Sequence, residues 1–175
     1  MEKVHKPSRE LSDAKQLLLG YLDYYRSVVG RKVEGLPESE LRASPLPSGW
    51  TPLELIKHLT YMERRWFRWG FLAEQLETPR GDEDGSGRWH VGDSETPAEL
   101  LKALYAGGTR TRAIVEGADL ADRAAVGGRF SEVTSAPLSH GRWCKSCKSM
   151  PVTPATWMRP ENCWMASWAN SEAPP

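Results

Sequence analysis

The sequence lacks any long apolar run: no stretch approaches the roughly 18 consecutive residues that a membrane span requires. Yet 39% of its 175 residues are hydrophobic, enough to pack an interior. It also lacks net charge. Twenty-three basic side chains cancel 23 acidic ones, which removes any broad electrostatic attraction to nucleic acid or an anionic membrane. Cysteine is scarce and late, as Cys144, Cys147 and Cys163. The opening Met1 to Ser8 has none of the apolar core of a secretion signal. A reducing, cytoplasmic setting without disulfides is therefore expected. A chain of this length fits one ordinary domain.

The missing residue types are unevenly distributed. Seventeen of the 18 leucines precede residue 131, whereas all three cysteines, four of eight tryptophans and three of five methionines follow it. No aspartate occurs after Asp122, and the segment after Phe130 carries six prolines and seven serines. Such a segment cannot easily build a helix with a continuous apolar face and is expected to be irregular or disordered. The reading divides the chain into a helical part, 1–128, and an aberrant tail, 129–175.

Three long helices are legible in the first part. Leu11, Leu18, Tyr21, Leu22, Tyr25, Val28, Val29 and Lys32 recur at three- and four-residue steps, predicting a helix over 10–34 closed by Gly35. Thr51-Pro52-Leu53-Glu54 is a capping-box start, followed by Leu55, Leu59, Met62, Trp66 and Trp69, predicting a helix over 52–76. Thr96-Pro97-Ala98-Glu99 repeats that start ahead of Leu100, Leu101, Leu104, Tyr105, Ile114 and Val115, and the third helix ends near Gly117. Gly107 and Gly108 weaken its middle. Between the second and third helices, Glu77 to Glu95 forms a 19-residue polar connection, long enough to be either mobile or shaped for a task, with Trp89 and His90 its notable members. The class is all-α, an up-and-down bundle whose fourth helix is missing or degraded.

The run Ser48-Gly-Trp-Thr-Pro-Leu-Glu-Leu-Ile-Lys-His-Leu-Thr-Tyr-Met-Glu-Arg-Arg-Trp-Phe67, with Lys32-Val-Glu-Gly-Leu36, Gly92-Asp-Ser-Glu-Thr-Pro-Ala-Glu-Leu100 and Arg112-Ala-Ile-Val115, resembles the DinB-like four-helix-bundle superfamily. More narrowly it is similar to the mini-circle protein branch, close to mycothiol-dependent enzymes. The resemblance covers about residues 10–128. It implies a divalent metal of zinc or nickel type on three histidines. His58 matches the one in helix two, and the other two belong to an Arg-His-x-Gly-His-x-Asp pattern in helix four that is absent here. It further implies a low-molecular-weight thiol such as mycothiol, an electrophilic partner substrate, and thiol transfer or conjugation, impaired in this chain because two of the three expected histidines are lacking.

The genetic code offers a reason for the absence. Reading the tail one nucleotide earlier joins the third base of each codon to the first two of the next. Asn162 and Cys163 end in a pyrimidine, and Trp164 and Met165 end in G, so positions 163–166 become Leu-Leu-Asp-Gly by necessity. Positions 144, 151 and 158 likewise become valine, alanine and aspartate. The permitted string over 142–166 includes an amphipathic Thr-Leu-Val-Gln-Val-Leu-Gln-Glu-Tyr-Ala-Arg-His-Ala-Gly-His-Leu-Asp, with histidines at positions 153 and 156 if the codons of Val152 and Ala155 end in C. On this reading the tail, from an onset between about Phe130 and Leu138, is a frameshifted version of the family's last helix.

Other features carry competing readings. His140, Cys144, Cys147 and Cys163 have spacing that could hold a structural zinc, which would make the chain a small zinc-binding module. Arg64, Arg65 and Arg68 read as a solvated basic face, with an anion site as the sharper alternative. Trp50, Trp66 and Trp69 are expected in the core, with Trp66 as a candidate lining of the pocket that the resemblance implies, and Glu63 reads as a helix-surface charge, with a place beside that pocket as the alternative. His5 and His90 receive no role. A non-catalytic helical remnant or interaction protein, its uncovered stripe buried in a homodimer or by the tail, is the alternative to an enzyme.

Overall fold

A computed structural model describes residues 6–8, 10–44 and 49–131, and all the helices named below lie within them. Helix α1 spans Ala14–Val33, the single-turn α2 Glu38–Leu41, α3 Pro52–Glu63 with a π-helical extension Arg64–Phe71, and α4 Pro97–Glu116. No helix among the described residues is long and apolar enough to cross a membrane. The all-α class holds. The expected fourth long helix, its slipped reading frame and the four tail residues proposed for zinc all lie outside the described residues.

Local chemistry fixes each boundary. Helix α1 begins later than its apolar spacing suggests because the Asp13 side chain accepts from the Gln16 backbone at 2.8 Å, leaving Leu11 outside and exposed. It ends as expected, with Gly35 at φ 84° just past the last turn. Both capping boxes form: Thr51 with Glu54, and Thr96 with Glu99. The one-turn α2 was not anticipated. It buries Leu41, and its following Arg42 donates to the carbonyls of Gly92 and Glu95.

The second long helix departs most from its sequence pattern. Predicted to run to 76, it changes at Arg64 to π geometry, in which hydrogen bonds skip one residue more than in an α-helix. It stops at Phe71, where the Leu72 N–H still bonds the Phe67 carbonyl and Ala73 turns the chain at φ 53°. The wider turn rotates the buried face. Phe67 and Phe71 enter the core, while Met62, Trp66 and Trp69, expected there, are half-buried, as is Trp50. The fully enclosed tryptophan is instead Trp89, 1% exposed, from the 77–95 connection.

Helix α4 packs against both α1 and α3. The core joins Leu19, Leu22, Val29 and Val33 to Leu53, Ile56 and Leu59, and to Leu104, Ile114 and Val115. Burying such side chains yields about 1.5–3 kcal/mol each. Within it lies an ion pair. Glu63, expected on the surface, is 1% exposed. Its carboxylate accepts from Arg26 Nε at 2.7 Å and Nη2 at 3.0 Å, and from Thr111 Oγ1 at 2.6 Å, linking α1, α3 and α4. Gly108 makes room for it: a Cβ there would stand 2.7 Å from Arg26 Nε. Asp23 completes the group, accepting from Arg26 Nη1 at 2.5 Å and from Arg112.

Candidate functional site

His58 sits on α3 one turn beyond the capping box, and its ring is held between two indoles. Trp50 meets it edge-on at 5.3 Å between centroids, and Trp89 does so at 4.9 Å. Tyr61, one turn further, also stacks on Trp89, at 6.0 Å with planes 5° apart. The Trp89 Nε1–H donates to the Arg80 carbonyl at 2.7 Å, so the tryptophan is fixed at both its apolar and polar ends.

The 77–95 connection is therefore shaped rather than loose. Lys57, buried on α3, donates to Asp82 at 2.6 Å, Glu95 at 2.7 Å and the His90 carbonyl at 2.8 Å. Burial alone would lower its ammonium pKa, but the bonds from Asp82 and Glu95 raise it. Arg88 donates to Glu54 at 2.7 Å and to the Gly49 carbonyl. Burial of Glu54 works against its charge, yet Arg88 and the Thr51 backbone hold its pKa below the usual value. His90, given no role from sequence, bridges Glu54 and Asp84 at 3.1 Å from each ring nitrogen. The acidic run Asp82-Glu83-Asp84, following a lysine on the buried helix face, was the available clue to this anchoring.

The Nδ1 of His58 is buried and has no hydrogen-bond partner among the described residues. Burial, with a smaller push from the Arg65 guanidinium, lowers the imidazole pKa from 6.5 to about 4, so the ring is neutral at physiological pH. A neutral imidazole offers one nitrogen lone pair, which makes His58 chemically suited to ligation. The remaining donors are not assembled around it. Among the described residues no group of three or more His, Cys, Asp or Glu side chains could hold a metal ion. The metal centre implied by the resemblance is thus not made up by this part of the chain.

The arginines differ from their expected solvated face. Arg68 forms a bidentate pair with Glu74, at 2.8 and 2.9 Å. Arg65 turns toward Glu83, and the Arg64 guanidinium lies 5.7 Å from the Tyr61 ring. Behind Trp66, at 4.2 Å from its ring, lies Arg129. Its backbone N–H bonds the Trp69 carbonyl, and the preceding Gly128 leaves no space for a side chain, since a Cβ would come within 2.2 Å of that same oxygen. Arg80 and Arg129 could not be found from helical periodicity, because both lie outside the long helices.

A model of the mycothiol-S-transferase family matches residues 17–143, almost three-quarters of the chain. The chain belongs to this DinB-like family. No curated protein and no solved structure gives a significant match. Family membership associates the chain with mycothiol. The match ends immediately before Cys144.

The neutral imidazole has a measurable consequence. Its folded-state pKa of about 4 lies below the unfolded 6.5, so the unfolded chain binds the extra proton between those values. The chain should lose stability as pH falls through that window, by roughly 3 kcal/mol at its lower end from this group alone. Urea melts at pH 7 and pH 4.5 on metal-free wild type and His58→Gln check it. The acid-induced loss should be smaller in the variant, and equal losses would remove the buried neutral ring.

Proposed function

We propose that this chain is an impaired mycothiol S-transferase, carrying the helical frame and one histidine of a thiol-transfer site whose other ligands it does not spell. The observation behind the reading is the His58 Nδ1, enclosed by Trp50 and Trp89 and without a partner among the described residues. A buried nitrogen left unbonded costs about 1–3 kcal/mol. Its retention on the inner face of α3 is consistent with descent from a coordinated residue. In intact relatives the expected reaction is attack of a thiol on an electrophile. This chain supplies the walls of such a site without completing it. The family match runs past the boundary expected at 128, to residue 143, and leaves Cys144 and everything after it unmatched.

The test is metal content together with turnover. The purified chain is expected to hold no stoichiometric divalent metal and to consume mycothiol and a test electrophile such as monobromobimane no faster than the uncatalysed reaction. One metal lost in His58→Ala, with turnover, would instead restore a working enzyme. One metal lost in Cys144→Ala would point to the zinc-binding module. The gene sequence from codon 125 onward tests the frame itself. Codons of Val152 and Ala155 ending in any base but C would leave no histidines there and sink the metal part of the ancestry.

A further inference from the structure

Arginines among the described residues differ in how they are paired. Arg26, Arg68 and Arg42 reach carboxylates at 2.7–2.8 Å, and the first two grip theirs with two nitrogens. That is the geometry of structural pairs. Arg65, Arg80 and Arg129 do not follow it. Arg65 Nη1 stands 3.7 Å from one oxygen of Glu83, and Arg80 Nη1 stands 3.5 Å from the other. Both are too long for hydrogen bonds. Arg129 has no carboxylate within ion-pair distance among the described residues and rests on the Trp66 ring instead.

Among the described residues two guanidiniums therefore share one carboxylate and a third has none within ion-pair distance, leaving two positive charges in excess there. The region is not simply solvent. Glu83 is 7% and Arg65 17% exposed in their side chains, and Arg65 Nε and Arg129 Nη1 are buried without a hydrogen-bond partner among the described residues. Burial, reinforced by Arg65 and Arg80, lowers the Arg129 pKa to about 10, and Glu83 only partly offsets this. Like charges are held together against their own repulsion, with donor capacity unused.

We propose that Arg65, Arg80 and Arg129 form a binding site for the carboxylate of a small organic molecule, with Trp66 as its apolar wall and Glu83 as a resident anion that spaces the guanidiniums until the ligand arrives. A planar carboxylate takes two parallel N–H bonds from a guanidinium, so it can use the idle donors in a way a spherical halide cannot. Arg65 follows His58 by seven residues along the same helical run, and its charge adds to the burial that lowers the His58 pKa. The site stands by itself as a binding site. That its ligand is the electrophile of thiol transfer rests on the function proposed above.

Succinate titrated calorimetrically into the full-length chain, against sodium chloride of equal ionic strength and against inorganic phosphate, tests the site. Succinate should bind saturably, and Arg129→Gln should weaken it about tenfold or more, as expected for loss of a charge-assisted pair. Arg80→Gln guards against a folding artefact, because its side chain is 56% exposed and can be lost without opening the core. It should also weaken binding. Glu83→Gln should tighten succinate about threefold or more by removing the competing anion, a gain that no merely structural role would give. No saturable succinate binding, binding by phosphate alone, or affinity unchanged in both arginine variants would overturn the site. Binding without turnover would leave it intact while the transferase reading fails.

Discussion

Glu63→Ala should cost about 3–5 kcal/mol of folding stability, because it leaves Arg26 as a buried charge without its bidentate partner. Arg26 is 4% exposed, so its head cannot turn to water without opening the contact between α1 and α4. Asp23 remains 2.5 Å from Nη1, but it is 40% exposed and already accepts from Arg112, so it neutralises the guanidinium only in part. Urea melts followed by tryptophan fluorescence and by circular dichroism measure the loss. The paired replacement Arg26→Met with Glu63→Leu should recover much of it, since removing both charges avoids the desolvation that one alone suffers. A single-variant loss below about 1 kcal/mol would mean the pair is hydrated in solution, as surface pairs of that strength are.

Trp89→Ala should be comparably severe, at about 3–5 kcal/mol, the range for deleting an enclosed aromatic side chain. Its effect should also be local. The indole packs against both His58 and Tyr61 and ties the Arg80 carbonyl, so its loss removes the inner support of the 77–95 connection. Lys57 and Arg88 would still hold that connection by their ion pairs, yet partly exposed pairs are weak compared with the lost packing. Limited trypsin digestion should cut after Arg80 and Arg88 in the variant well before the rest of the chain is degraded. Trp89→Phe should keep most of the packing and lose chiefly the Nε1 hydrogen bond. Cleavage no faster than in the wild type would show that the charged anchors alone hold the connection.

Much of the frame was legible because its cues are local. Thr51-Pro52 with Glu54, and Thr96-Pro97 with Glu99, write helix starts directly into four residues, and both were found where expected. The end of α1 at Gly35 and of α4 at Gly117 followed from the same kind of cue. What failed was extrapolation of the 3.6-residue period beyond Glu63. Nothing in Arg64–Phe71 announces that its turns are wider, and the error displaced every side chain after it, trading Trp66 and Trp69 for Phe67 and Phe71. Glu63 was misplaced for another reason. A carboxylate on a helix reads as surface unless its partner is known, and Arg26 is 37 residues away. The site was legible only at His58. Its Trp89 wall meets it through a tertiary contact that no spacing rule encodes, as Arg129 meets Trp66.

The Arg26–Glu63–Thr111 group also bears on how long the folded state lasts. Its three members come from three helices separated by 37 and 48 residues along the chain. Water can leave the guanidinium and carboxylate only when all three helices are already in place, so the group contributes little to the barrier met on the way in. It contributes fully to the barrier on the way out. It therefore acts as a latch on the unfolding rate, slowing escape from the native basin without hastening entry into it.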